Sequence, residues 1–137
     1  MLEKYEKDFD ENEFMRSFME RKHISTKKQA LAELRKLIKK EGYYQTKIKE
    51  ALKKRYPDAF VVKISQGAYS QAGIPDVMFI KDGHYFGFEV KRPVVGIRSK
   101  LQEQTARMIQ AAGGTAAFVC YPEEAIREVE EYEKSQR

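Results

Sequence analysis

Residues 84 to 91, His-Tyr-Phe-Gly-Phe-Glu-Val-Lys, alternate in a way that only an extended strand satisfies. Phe86, Phe88 and Val90 fall on one face of such a strand, and Tyr85, Gly87, Glu89 and Lys91 on the other. The first face requires a core. The second carries a carboxylate and an ammonium two residues apart, projecting together. Ile74 to Ile80 forms another extended run, and Lys81-Asp82-Gly83 between the two is a hairpin turn. Antiparallel pairing sets Asp76, directly after Pro75, beside Glu89 and Lys91. Two acids and one lysine on one spot suit a divalent cation and a phosphodiester. Carboxylate oxygens are hard ligands. A cation so held activates water and offsets phosphoryl charge, and the lysine orients the water or stabilises the transition state.

The rest of the chain supplies helices and two more strands. Phe14, Met15, Phe18 and Met19 have helical spacing. Ser25 and Thr26 can cap a second helix, with Gln29 at the capping-box position and Leu31, Leu34, Leu37 and Ile38 as its apolar stripe. Gly42 is expected to break or bend the chain before a third helix over about 43 to 56. Phe60 to Ile64 reads as a strand, 65 to 73 as a small-residue loop, and 99 to 112 as a helix closed by Gly113-Gly114. Thr115 to Cys120 is an apolar strand, and Pro122, Glu123 and Glu124 open a last helix. The helical connection before the last strand predicts parallel pairing there. Gly87 either leaves space on the acidic face or marks a bulge.

The succession Lys63-Ile64-Ser65-Gln66-Gly67, Ala72-Gly73-Ile74-Pro75-Asp76, Glu89-Val90-Lys91-Arg92-Pro93, Leu101-Gln102-Glu103-Gln104 and Ala112-Gly113-Gly114 resembles the VRR-NUC branch of the PD-(D/E)XK nucleases, in its stand-alone, phage-type form. The resemblance implies an α/β, restriction-endonuclease-like fold: a mixed sheet flanked by helices. The resemblance covers roughly residues 41 to 130 and implies a nuclease domain over 41–137, behind an N-terminal helical extension, residues 1–40. It implies Mg²⁺ or Mn²⁺ held by Asp76, Glu89 and the carbonyl of Val90, with Lys91 as the catalytic lysine. It also implies a glutamine on the following helix, matched here to Gln104, and a glutamate on the first core helix. Glu41 fits the last, because offsets of 4, 7 and 11 to Gln45, Ile48 and Leu52 lie on one face. Glu50 lies on the opposite face. Lys63, Tyr69, Ser70, Gln71, Arg92, Arg98 and Lys100 flank the acids and are candidate nucleic-acid contacts.

Charge agrees with a polyanionic partner. The chain carries +5 overall. Residues 1 to 20 hold seven acids against Lys4, Lys7 and Arg16, a net −4, so the remainder is +9. No apolar run reaches the length of a membrane span, the first residues lack a secretory core, and the lone Cys120 cannot form an internal disulfide. The expected setting is the cytoplasm of a bacterium or phage-infected host. His23, His84 and Cys120 do not make a usual zinc site. The expected activity is a metal-dependent DNA endonuclease, homodimeric and selective for branched, flap or four-way DNA. RNA cleavage, and a non-cleaving DNA-binding or assembly protein on the same fold, are the alternatives.

Overall fold

The computed structural model describes residues 10–64 and 73–137. Over those residues the order is α1 (Glu11–Lys22), α2 (Lys27–Leu37), α3 (Glu41–Arg55), β1 (Phe60–Lys63), β2 (Val77–Lys81), β3 (His84–Val90), α4 (Lys100–Ala111), β4 (Thr115–Val119) and α5 (Pro122–Ser135). The sheet runs β1-β2-β3-β4. β1, β2 and β3 are antiparallel in sequence, whereas β3 and β4 are parallel, with α4 as the crossover.

Local sequence explains each boundary that matters for the site. Asp10 accepts from the backbone of Asn12 and Glu13 to start α1, and Thr26 accepts from Gln29 N to start α2. Gly42 does not break the third helix, which begins at Glu41. Glycine is tolerated there because the first-turn N–H groups have no intrahelical partner in any case. Asp82 and Gly83 have φ of 51° and 78°, the two left-handed residues that a tight β2–β3 turn needs. Gly113, at φ 96°, closes α4.

The core lies on the sheet face that bears Phe79, Phe86, Phe88 and Val90, covered by Ile48 and Leu52 of α3 and Val129 of α5. Phe18, Leu34 and Ile38 of the N-terminal helices belong to the same buried cluster. The stripe assigned to α2 needs one correction: Leu37 is 55% exposed, while Ala30 takes its place in the core. The opposite sheet face holds Gly87 and Glu89 and receives α4. There Gly87 sits in regular register with Met78, so it is not a bulge. A Cβ on Gly87 would meet the Pro75 ring at 2.8 Å. The glycine therefore lets Pro75 lie on the strand, which fixes the turn that presents Asp76. A Cβ on Gly73, at φ 87°, would meet Leu101 and Thr105 at 2.9 Å, so the start of the same turn packs on α4.

Gly87→Ala should therefore cost stability by overpacking, on the order of 1–3 kcal/mol. Urea unfolding with the denaturant slope held in view measures it. An unchanged midpoint would show that Pro75 is not seated on Gly87.

Candidate active site

The hairpin register builds the site. Val77 pairs with Phe88, so one step further Asp76 stands opposite Glu89 at the end where β2 begins and β3 finishes. Ile64 N donates to Asp76 O (2.7 Å), which holds the Asp76 backbone against β1. Val90 N donates to Asp76 Oδ2 (2.8 Å), which aims the side chain at β3. Lys91 N donates to Val119 O (2.8 Å), so β4 secures the other edge. Asp76 and Glu89 are each only 5% exposed. Glu41, at the first turn of α3, supplies a third carboxylate. One oxygen from each of Glu41, Asp76 and Glu89 lies within 4.8 Å of the others.

That spacing fits a cation. Oxygens around a hard divalent ion sit about 2.0–2.6 Å from it, so two of them are at most about 5 Å apart. Lys91 Nζ lies 3.9 Å from Glu89 Oε1, as the i, i+2 placement on β3 requires. Gln102 Nε2 donates to the same oxygen at 2.8 Å. The other oxygen, Glu89 Oε2, is buried and has no hydrogen-bond partner among the described residues. A buried carboxylate oxygen without a donor is costly. One cation among three acids and one lysine would both fill that gap and offset the negative excess.

The acids titrate accordingly. Glu89 is held well above the ordinary carboxylate range, first by burial and then by the charge of Asp76, with Lys91 opposing. Glu41 is also raised, again by burial and then by Asp76, while Gln45 Nε2, donating at 3.3 Å, works the other way. The cation-free cluster thus favours a proton on Glu89, and a divalent ion would displace it.

Other candidates fall in several places. Val90 is fully buried and spends its N–H on Asp76. Gln104 is exposed on α4, as are the large apolar neighbours on either side of it, Leu101 at 45% and Met108 at 62%. α4 instead docks through Gln102, Thr105, Ala106 and Ile109, and this face brings Gln102 to Glu89. The signal for Gln102 was its capping box: Ser99 Oγ accepts from Gln102 N, and Gln102 Oε1 accepts from Ser99 N. With its carbonyl so fixed, its amide is aimed at Glu89. Lys63 Nζ lies 3.8 Å from where a Cβ on Gly42 would sit, beside the first turn of α3. Arg98 stacks over Phe118 at 4.2 Å, and Lys100 is exposed at the start of α4. Arg92 was expected to face nucleic acid, but it donates to backbone carbonyls of α2 and the link after it. Tyr69, Ser70 and Gln71 lie outside the described residues. Glu50 is exposed on α3. Cys120 is half-buried, and burial pushes its thiol up to about 12, which removes it as a nucleophile.

With the geometry in hand, known proteins give one likeness. No protein-family model matches the chain, and no curated protein matches it. A solved VRR_NUC domain superposes with a TM-score of 0.52 at 18% identity, covering 65% of this chain and 97% of that domain. The fold is that of a VRR_NUC domain. The likeness rests on architecture, because at this identity few side chains are shared.

A sign follows from the buried acid. Glu89 is raised in the folded protein, so folding favours its neutral form, and stability is lost as pH rises from the unfolded carboxylate value towards the folded one. In EDTA, Glu89→Gln should therefore melt higher than the parent at pH 8 and close to it at pH 4, by a few degrees, on the order of 1 kcal/mol. Thermal melts at both pH values check this. A variant that melts lower at pH 8 would mean that ionised Glu89 stabilises the fold.

Proposed function

We propose that this chain is a divalent-metal-dependent nuclease that hydrolyses phosphodiester bonds in DNA. The observation that carries the reading is the convergence of the carboxylates of Glu41, Asp76 and Glu89 within 4.8 Å of one another, with Lys91 alongside. The VRR_NUC fold supports it. Glu41, Asp76 and Glu89 would hold Mg²⁺ or Mn²⁺, with the Val90 carbonyl as a further oxygen at the strand end. Such an ion supplies Lewis acidity for water and for the phosphoryl group.

The remaining roles belong to the chain itself. Val90 N–H and Gln102 fix the rotamers of Asp76 and Glu89, so the acids need little reorganisation when the site fills. Lys91 sets its ammonium 3.9 Å from Glu89, where it can donate to a non-bridging phosphate oxygen or hold the attacking water in line. The basic body steers the polyanion, and Lys63, Arg98 and Lys100 are the described cations that can meet phosphates near the site. Tyr69, Ser70 and Gln71 are proposed to contact substrate from the segment before Gly73, and Gln104 to touch substrate from the outer side of α4. We further propose a homodimer acting on branched, flap or four-way DNA, with residues 1–40 as an extension of a nuclease domain spanning 41–137. A protein that binds such DNA without cutting is the second reading, favoured only if the acids prove inert.

Two experiments test this. Among labelled duplex, single-stranded, flap and four-way DNA and their RNA counterparts, the flap and four-way DNA should be cut fastest in Mg²⁺ or Mn²⁺, the RNA should be spared, and all should be left whole in EDTA. Asp76→Asn, Glu89→Gln and Lys91→Ala should each lower the rate by at least 10²-fold, in the range seen for loss of one transition-state contact, with folded spectra retained. Full activity in all three would move the chemistry elsewhere.

The second experiment sets Glu41 against Glu50. Glu41→Gln should raise the Mg²⁺ concentration needed for half-maximal cleavage by about tenfold or more, and Glu50→Gln should leave it unchanged. The reverse ranking would reject Glu41 as a ligand.

A further inference from the structure

Arg92 follows Lys91 directly, and its guanidinium is spent on backbone. Nε donates to Lys39 O at 3.0 Å, and one Nη donates to Arg35 O at 2.6 Å and Ile38 O at 2.9 Å. Those carbonyls end α2 and form the short link to α3. Carbonyls at a helix C-terminus lack intrahelical donors and carry the negative end of the dipole, so a planar cationic fork matches them. Ile38 anchors the link in the core, and Lys40 O accepts from Tyr43 N at 3.0 Å, but the carbonyls of Arg35, Ile38 and Lys39 face Arg92. Ile38, the C-cap, is extended, and Lys40, the N-cap of α3, makes no side-chain cap. Glu41 is the next residue.

The other end of Arg92 is equally constrained. Gly96 N donates to Arg92 O at 3.1 Å. A Cβ on Gly96 would meet Arg92 O at 2.6 Å and Lys91 Cβ at 2.8 Å, so the turn closes directly on the lysine. Val94 in that turn has φ 63°, a left-handed conformation unfavourable for a β-branched residue. A strained turn therefore fixes the Arg92 backbone just after β3, and the side chain reaches across to the end of α2 and the link that leads into α3.

We infer that Arg92 is a positioning residue. It clamps the α2–α3 link so that Glu41 is delivered to Asp76 and Glu89, which makes α2 a working part of the acidic site. The inference rests on the reading of that site as a cation site. It assigns Arg92 no contact with DNA.

Calorimetric Mn²⁺ binding, without substrate, separates the possibilities. The set is the parent, Arg92→Gln, Arg92→Lys, Glu41→Gln and the Arg92→Gln/Glu41→Gln double variant. Arg92→Gln should weaken Mn²⁺ by about tenfold or more. Arg92→Lys keeps the charge but not the fork and should also weaken it, and it carries the test if Arg92→Gln melts too low to measure. The double variant should bind no more weakly than Glu41→Gln alone, because the clamp acts through Glu41. DNA affinity in EDTA, and its slope against salt, should match the parent for both Arg92 variants. Parental Mn²⁺ affinity in both Arg92 variants, or multiplying losses in the double variant, would overturn the inference while leaving the cation site standing. A salt slope smaller by about one would make Arg92 a phosphate contact and overturn it too. Failure of the parent to bind Mn²⁺ would sink the cation reading and this inference with it.

Discussion

Everything at the site depends on the pairing of β2 with β3. That ladder holds two carboxylates, each 5% exposed, opposite one another at the end of a sheet. Left to themselves, such groups would separate and hydrate, since like charges in a poorly solvated place repel strongly and lose their water shell. They stay because the backbone under them is committed elsewhere. Phe79, Phe86, Phe88 and Val90 are buried on the other face of the same strands. A slip of one residue would turn all of those side chains out of the core. The apolar face therefore fixes the register, and the register imposes the acidic cluster.

The supporting contacts show how far the chain goes to make that cluster tolerable. Asp76 takes one N–H from Val90, and Glu89 takes one from Gln102 and the nearby charge of Lys91. These partners satisfy one oxygen of each acid, and among the described residues none donates to Glu89 Oε2. Structural ion pairs in a core are usually completed on both sides. Among the described residues, an acceptor left open on Glu89 and a third carboxylate within 4.8 Å of the pair leave a place for a further electropositive group.

Much of this was legible from residue order, and the reasons are physical. Strand alternation has a period of two, so Glu89, Lys91 and the buried face of β3 could be read directly, and the Asp82-Gly83 turn fixed the partner strand. Helical faces were harder. Glu41, Gln45, Ile48 and Leu52 share a face whose apolar members are large and fully buried, and Ile48 and Leu52 are in the core. On α4 no residue is fully buried, so size misleads: Leu101 and Met108 remain outside and the small Thr105 and Ala106 face inward. That rotation of the helix is what separates Gln104 from Gln102. Arg92 was illegible for a different reason. Its partners are carbonyls more than fifty residues earlier, and backbone acceptors leave no mark in a sequence.

The balance between site and scaffold also bears on how the protein responds to a ligand. Glu89 and Glu41, raised first by burial and then by the charge of Asp76, oppose folding at neutral pH, so the cation-free molecule carries a standing penalty. A ligand that binds only the folded state repays it through mass action, about 2.7 kcal/mol when present at a hundredfold over its Kd. The same ion that would equip the site for chemistry would thus tighten the β2–β3 end and the α2–α3 link together. Because Arg92 joins those two segments, stability and site assembly are coupled through one side chain. The N-terminal helices, whose Leu34 and Ile38 share the core with α3, then contribute to the site through the link they anchor rather than through any carboxylate of their own.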